Sequence, residues 1–253
     1  MLASLSHPAS GMTRFPDRFQ PGQRPFLIAE MSGNHNGDID RARRLIDAAR
    51  DAGADAVKIQ TYTADTITMD VDRPEFRLEG GLWAGKTLYE LYQEAHTPWE
   101  WHAALFAHAR DAGIALFSSP FDPTAIDLLE SLYTPAYKIA SFELIDLPLI
   151  TKAAATGKPL IMSTGMASLG EIAEAVAVAR EAGNDNIALL HCVSGYPTPV
   201  EDCDLATIPH MAQAFGLPVG LSDHTMGVAV PVAAVALGAV IIEKHFTLAR
   251  ADG

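Results

Sequence analysis

Thiols are scarce in this sequence. Its 253 residues hold two cysteines, Cys192 and Cys203, which do not form a CxxC pair, so a disulfide framework and a cysteine-built structural zinc site are excluded. Basic charge is scarce too. The 18 Lys and Arg stand against 31 Asp and Glu, a net charge of −13 without any basic run, which argues against nucleic acid or an anionic lipid surface as a partner. The longest apolar stretch, Val228 to Ile242, is about 15 residues interrupted by Pro231 and Gly238, short of the roughly 20 that a bilayer span needs. Residues 1–24 contain no continuous apolar segment of the kind a signal peptide uses and read as a flexible tail, with a reducing cytoplasm the expected location.

What is present is apolar and regularly punctuated. With 49% hydrophobic residues and 19% charged, the chain can bury a large core, and its length suits one α/β barrel. From Phe26 onward eight short apolar runs recur: FLIAE, AVKIQ, IALFS, AYKIA, PLIMS, IALLHC, PVGLSD and VIIEKHF. Such runs are expected of a parallel sheet buried on both faces. Seven helical patterns separate them, with Gly at the helix ends in AGAD, AGIA and EAGN, and a capping box in Ser168 and Glu171. The pattern predicts an α/β (β/α)8 TIM barrel over 25–253 that lacks its closing eighth helix, because the chain stops seven residues after Phe246. An open doubly wound sheet is the competitor, disfavoured by the absence of GxGxxG after the first strand. About 38 residues, Thr61 to Pro98, separate the second strand from the next helix, whereas such loops usually take roughly 2 to 6. They carry Trp83, Tyr89 and Tyr92 on the face where barrels place their sites.

At the carboxyl ends of the strands stand Glu30, Lys58, Gln60, Ser118, Ser119, Lys138, Ser163, Ser194, Ser222, Asp223, His224 and His245. Two lysines and several hydroxyls in an acidic protein point to a small phosphate- or carboxylate-bearing substrate. The bland alternative for each lysine is a pairing with Asp or Glu beneath the mouth. His224 and His245 end adjacent strands, where they could share a divalent metal or serve as two hydrogen-bonding imidazoles. Lys244 alternates with Glu243 and His245 and is expected to point outward. The SGNHNGD stretch, with Asn34 and His35, reads as a tight turn, and Cys192 as core packing.

FLIAEMSGNHNGD, GADAVKIQTY, FSSPFD, PAYKIASFE, PLIMSTGM, LLHCVSGYPTP, VGLSDHT and IIEKHFT resemble, in order and spacing, the sialic acid synthase family. AEMSGNHNG together with the segment from Leu82 to His102 resembles its pseudaminic acid synthase branch most. The resemblance implies condensation of phosphoenolpyruvate with an acylated amino sugar, 2,4-diacetamido-2,4,6-trideoxy-L-altrose, assisted by Mn2+ or Mg2+. It assigns phosphoenolpyruvate to Lys58, Lys138, Ser119, Ser141, Ser163, Ser194 and Ser222, metal to His224 and His245, and sugar to Glu30, Glu143 and Tyr196. Glu143 is the candidate for proton transfer. The sequence departs from the family at Ser194, where neuraminic acid synthases usually carry Asn, and in SSP for STP. The resemblance further implies, for the full-length form, a homodimer and a small antifreeze-like domain that crosses to the partner subunit's site and supplies an arginine for the sugar, a part that this sequence is expected to lack. A legionaminic or N-acetylneuraminic acid synthase, a Schiff-base aldolase and an inactive binding barrel are the alternatives.

Overall fold

The structure is a computed structural model that describes residues 19–20, 22–80 and 83–252. Eight parallel strands close into a barrel in chain order: β1 (Phe26–Glu30), β2 (Ala56–Thr61), β3 (Ala115–Pro120), β4 (Tyr137–Ile139), β5 (Leu160–Ser163), β6 (Ile187–Cys192), β7 (Val219–Asp223) and β8 (Ile241–His245). β8 returns to β1, setting Ile241 beside Phe26 and His245 beside Glu30. The (β/α)8 architecture expected from the alternating pattern is therefore present. The fourth strand is shorter than the AYKIA run, because the chain turns after Ile139 into a 3-10 helix over Phe142–Ile145.

The helices between the strands are α1 (Ile39–Asp51), α4 (His102–Ala112), α5 (Pro123–Ser131), α6 (Leu147–Ala154), α7 (Leu169–Glu181), α8 (Thr207–Phe215) and α9 (Ala229–Ala236). Their starts follow local chemistry: Asp38, Asp122 and Asp146 cap α1, α5 and α6 by accepting from the first-turn amides. Ser168 and Glu171 close the expected capping box on α7. Among the described residues no helix follows β8, and none is long and apolar enough to cross a membrane.

The long connection is not structureless. It folds α2 (Ala64–Ile67), a 3-10 turn over Pro74–Phe76 and α3 (Leu88–Ala95), the last started by a capping box between Thr87 and Glu90. Leu82, at the start of the segment most specific for the family branch, lies outside the described residues. Tyr62 anchors the connection, meeting Tyr92 of α3 at 5.7 Å and Phe121 at 5.3 Å, both edge-on.

Two cores result from the period-two alternation of the strands. Residues facing outward, such as Val57, Ile59, Leu116, Tyr137, Ile139 and Leu189, pack under the helices. Residues facing inward, Phe26, Ile28, Ala56, Phe117, Ile161, Ala188, Leu190 and Ile241, fill the barrel. Gly220 belongs to this inner layer: a Cβ there would lie 2.5 Å from the Ile241 carbonyl and 2.8 Å from Leu190, so a side chain is sterically excluded.

The expected tail over 1–24 requires correction where it is described. Phe19 is buried and meets Phe26 edge-on at 5.6 Å, sealing the amino-terminal end of the inner core, and the Arg24 guanidinium spans both oxygens of Asp55 at 2.9 and 2.8 Å. An apolar barrel interior open to water at its base would leave Phe26 wet, and Phe19 removes that exposure. Residues 1–18 and 21 of the expected tail lie outside the described residues. Replacing Phe19 by Ala is expected to lower the unfolding free energy by about 3 kcal/mol, read from urea melts.

Candidate active site

Above the apolar inner layer, the same inward parity turns polar on strand after strand. Phe26 and Ile28 give way to Glu30, Ala56 to Lys58 and Gln60, Phe117 to Ser119, Ile161 to Ser163, Leu190 to Cys192, and Ile241 to Glu243 and His245. This second layer is the floor of the barrel mouth. Lys58 and Lys138 are almost wholly buried in it, and so are Glu30 and Glu243.

The four charges form one network. Lys58 Nζ lies 2.5 Å from Glu30 Oε2 and 3.6 Å from Glu243 Oε1, and it donates to Ser119 Oγ at 3.3 Å. Lys138 Nζ lies 3.5 Å from the same Glu243 oxygen. Gln60 donates to Glu30 Oε1 at 3.1 Å, and Ser222 Oγ to Glu243 Oε1 at 3.4 Å. Burial opposes the charge on Lys58, but Glu243 and Glu30 outweigh it and raise its pKa. For Lys138, burial prevails over the pull of Glu243, and its pKa falls below the ordinary lysine value. Burial likewise works to protonate Glu243, but Lys138 and Lys58 outweigh it and keep its pKa low. The lysines sit at the mouth and are paired with carboxylates there, as the carboxylate-paired reading requires.

A hydroxyl cradle adjoins the lysines. A Cβ on Gly165 would lie 2.7 Å from Ser194 Oγ and 2.8 Å from Ser141 Oγ, so a side chain there would push both hydroxyls from their present positions; the Gly165 amide donates to Ser141 Oγ at 3.2 Å. The buried Ser163 Oγ has no hydrogen-bond partner and is available to a ligand. Glu143 stands in the 3-10 helix after β4 rather than at the strand end, and its Oε2 is also buried without a partner. Burial pushes its pKa up to about 7, partly offset by a backbone hydrogen bond and by Lys138. A carboxyl poised near neutrality beside two lysines can exchange protons.

His224 and His245 stand together at the mouth with ring centroids 5.6 Å apart. His224 Nδ1 lies 2.8 Å from the Val193 carbonyl, which directs its Nε2 away from the backbone. Tyr196 lies over His224 at 4.1 Å and edge-on to His245 at 5.8 Å. The pair offers two imidazole donors side by side, and among the described residues no group of three or more His, Cys, Asp or Glu that could hold a metal ion gathers.

Several sequence expectations change. Ser118 and Asp223 have the outward parity: Ser118 Oγ meets Thr61 Oγ1 at 2.6 Å, and Asp223 pairs with Lys244 outside the barrel, as the outward reading of Lys244 requires. Cys192 is not mere packing, because its Sγ lies 3.9 Å from His224 Nδ1. Burial works to raise its pKa, but His224 and Ser141 hold it below the usual thiol value. His35 builds a turn, accepting from the Gly37 amide at 3.1 Å, and burial lowers its pKa to about 4. Sequence reasoning missed Gln60 pairing with Glu30, Gly165, and above all Glu243; for Glu243 the signal was present, since it shares the parity of His245.

The mouth of this parallel (β/α)8 barrel thus gathers two buried lysines, a hydroxyl cradle and a histidine pair. The profile of the NeuB family matches residues 45–253. Over 226 residues the chain is 49% identical to the pseudaminic acid synthase of Helicobacter pylori, covering 89% of this chain and 66% of that protein. It is 41% identical to the N,N'-diacetyllegionaminic acid synthase of Campylobacter jejuni, over 89% of this chain and 68% of that one. The crystal structure of N-acetylneuraminic acid synthetase from Leptospira borgpetersenii, in complex with citrate, superposes with a TM-score of 0.79 at 34% identity, over 90% of this chain and 75% of that one. The chain belongs to the NeuB family and spans about two thirds of the length of the curated relatives it matches.

Because burial raises the pKa of Glu143 in the folded protein to about 7 from the ordinary 4.5, its ionisation costs stability as pH rises between those values. Glu143→Gln is expected to match the parent in urea melts at pH 4.5 and to exceed it by about 1–2 kcal/mol at pH 8.

Proposed function

We propose that this barrel condenses phosphoenolpyruvate with an acylated amino sugar, giving a nonulosonic acid and inorganic phosphate. The observation that carries the reading is the pair of buried lysines, Lys58 and Lys138, beside the Ser141, Ser194 and Gly165 cradle at the barrel mouth. Phosphoenolpyruvate carries a phosphate and a carboxylate on adjacent groups, and two fixed cations with converging hydroxyls suit both.

In this reading Lys58 and Lys138 neutralise the two anionic groups, and Ser119, Ser163, Ser194 and Ser222 hydrogen-bond to them. C3 of phosphoenolpyruvate attacks the aldehyde carbon of the open-chain sugar; water adds at C2, and cleavage of the C2–O bond releases phosphate. Glu143 moves the proton at the sugar oxygen, and Glu30 and Tyr196 orient the sugar. His224 and His245 would hold Mn2+ or Mg2+, which supplies Lewis acidity toward the aldehyde oxygen.

The preferred sugar is 2,4-diacetamido-2,4,6-trideoxy-L-altrose, on the higher identity to the Helicobacter pseudaminic acid synthase. The test is phosphate release from phosphoenolpyruvate with Mn2+ and this sugar, the legionaminic precursor or N-acetylmannosamine. Release with the first sugar and its loss on EDTA treatment are expected; release with none of the three overturns the reading. Lys58→Ala is expected to lower kcat/KM for phosphoenolpyruvate by about 100-fold or more, and His224→Ala or His245→Ala to abolish most turnover at saturating substrate. Lys138, with its lowered pKa, is the group a Schiff-base mechanism would use; the proposed condensation forms no imine, so borohydride with pyruvate should leave no adduct on it.

A further inference from the structure

The charges in the barrel floor sum to zero before any substrate is counted. Lys58 and Lys138 face Glu30 and Glu243, and all four are buried. Glu30 makes a close pair with Lys58 alone and accepts from Gln60 on its other oxygen. Glu243 behaves differently. A single oxygen, Oε1, reaches both ammonium groups, at 3.6 and 3.5 Å, and accepts from Ser222 as well, while Oε2 is buried with no partner.

These contacts are longer than the roughly 2.7–2.9 Å of a saturated ammonium–carboxylate bond, and each ammonium has three donors to direct. One carboxylate oxygen placed between two cations occupies the electrostatic position that a bridging oxygen of a phosphate or carboxylate would take. Glu243 lies two residues before His245 on the same face of β8, deeper in the barrel, so the lysines can be shared between it below and an anion above.

We infer that Glu243 is a resident counter-anion of the substrate site: it holds Lys58 and Lys138 converged, and an incoming phosphate or carboxylate competes with it for both. Resting on the reading of the site as one for phosphoenolpyruvate, this deepens it. Without Glu243, Lys58 would keep Glu30 but Lys138 would lose its carboxylate, and nothing would link the two ammonium groups. With it, the lysines are pre-arranged at the cost of some affinity, and the carboxylate regains them when inorganic phosphate leaves. Glu243 is thus a positioning residue that sets the balance between anion capture and product release.

The inference is tested with Glu243→Gln and Glu243→Asp, by calorimetric titration of phosphoenolpyruvate and of inorganic phosphate at pH 7, and by steady-state kinetics. In Glu243→Gln both anions should bind about tenfold more tightly, with the KM for phosphoenolpyruvate and kcat falling together and product inhibition by phosphate sharpening. Glu243→Asp keeps the charge but draws it back from the lysines, so binding should tighten by about two- to threefold; it decides the matter if the glutamine variant does not fold. A merely structural role would not tighten phosphate binding. Unchanged or weaker binding in a folded variant, with the parent binding both anions, overturns the inference alone. Failure of the parent to bind either anion overturns it together with the proposed function.

Discussion

The mouth of this barrel depends on the mutual neutralisation of Lys58, Lys138, Glu30 and Glu243. An isolated charge in a barrel interior costs several kcal/mol in lost hydration, so none of the four could stand there alone as an ion. Together they are tolerated, and each constrains the others: Glu30 fixes Lys58, Glu243 links Lys58 to Lys138, and Gln60 and Ser222 hold the two carboxylates. The hydroxyl cradle and the histidine pair are arranged around that fixed floor. A net charge of −13 is compatible with an anion site because the cations are placed by the fold rather than spread over the surface.

The floor rests on a barrel interior filled with apolar side chains. Phe19 seals one end, Gly220 allows β7 and β8 to approach, and the inward side chains of the strands meet in the middle. The wall is tied to its helices by buried polar links, of which Thr61 to Ser118 at 2.6 Å and Thr61 to His102 at 2.8 Å join β2, β3 and α4. Trp99 donates to the Tyr62 carbonyl at 3.1 Å, and through Tyr62 that tie extends to α3 above the mouth. Precision at the site therefore derives from packing beneath it and beside it.

Periodicity carried much of this information. Inward and outward positions of a buried strand cannot be told apart by hydrophobicity, because both are apolar, but the polar residue at the strand end reveals the parity. Lys58 with Gln60 was legible in that way, and so was the outward direction of Lys244. The same rule, applied to Glu243 and to Ser118, would have moved the first into the site and the second out of it. Gly165 and Ser141 were harder: they belong to different connections, and their proximity has no signature along the chain. The helices inside the long connection were hidden by its length, although Thr87 and Glu90 carried a capping box.

The order of strands and helices, the caps that start α1, α5, α6 and α7, and the supply of lysines and hydroxyls at strand ends were determined by the sequence alone, because each depends on residues within a few positions of one another. Which lysine pairs with which carboxylate, which hydroxyls share a glycine, that Glu143 is pushed toward neutrality and that Cys192 faces His224 were decided only by the tertiary structure. Those properties arise from burial and from distances of a few ångströms between strands far apart in the chain, and closure of the barrel creates both.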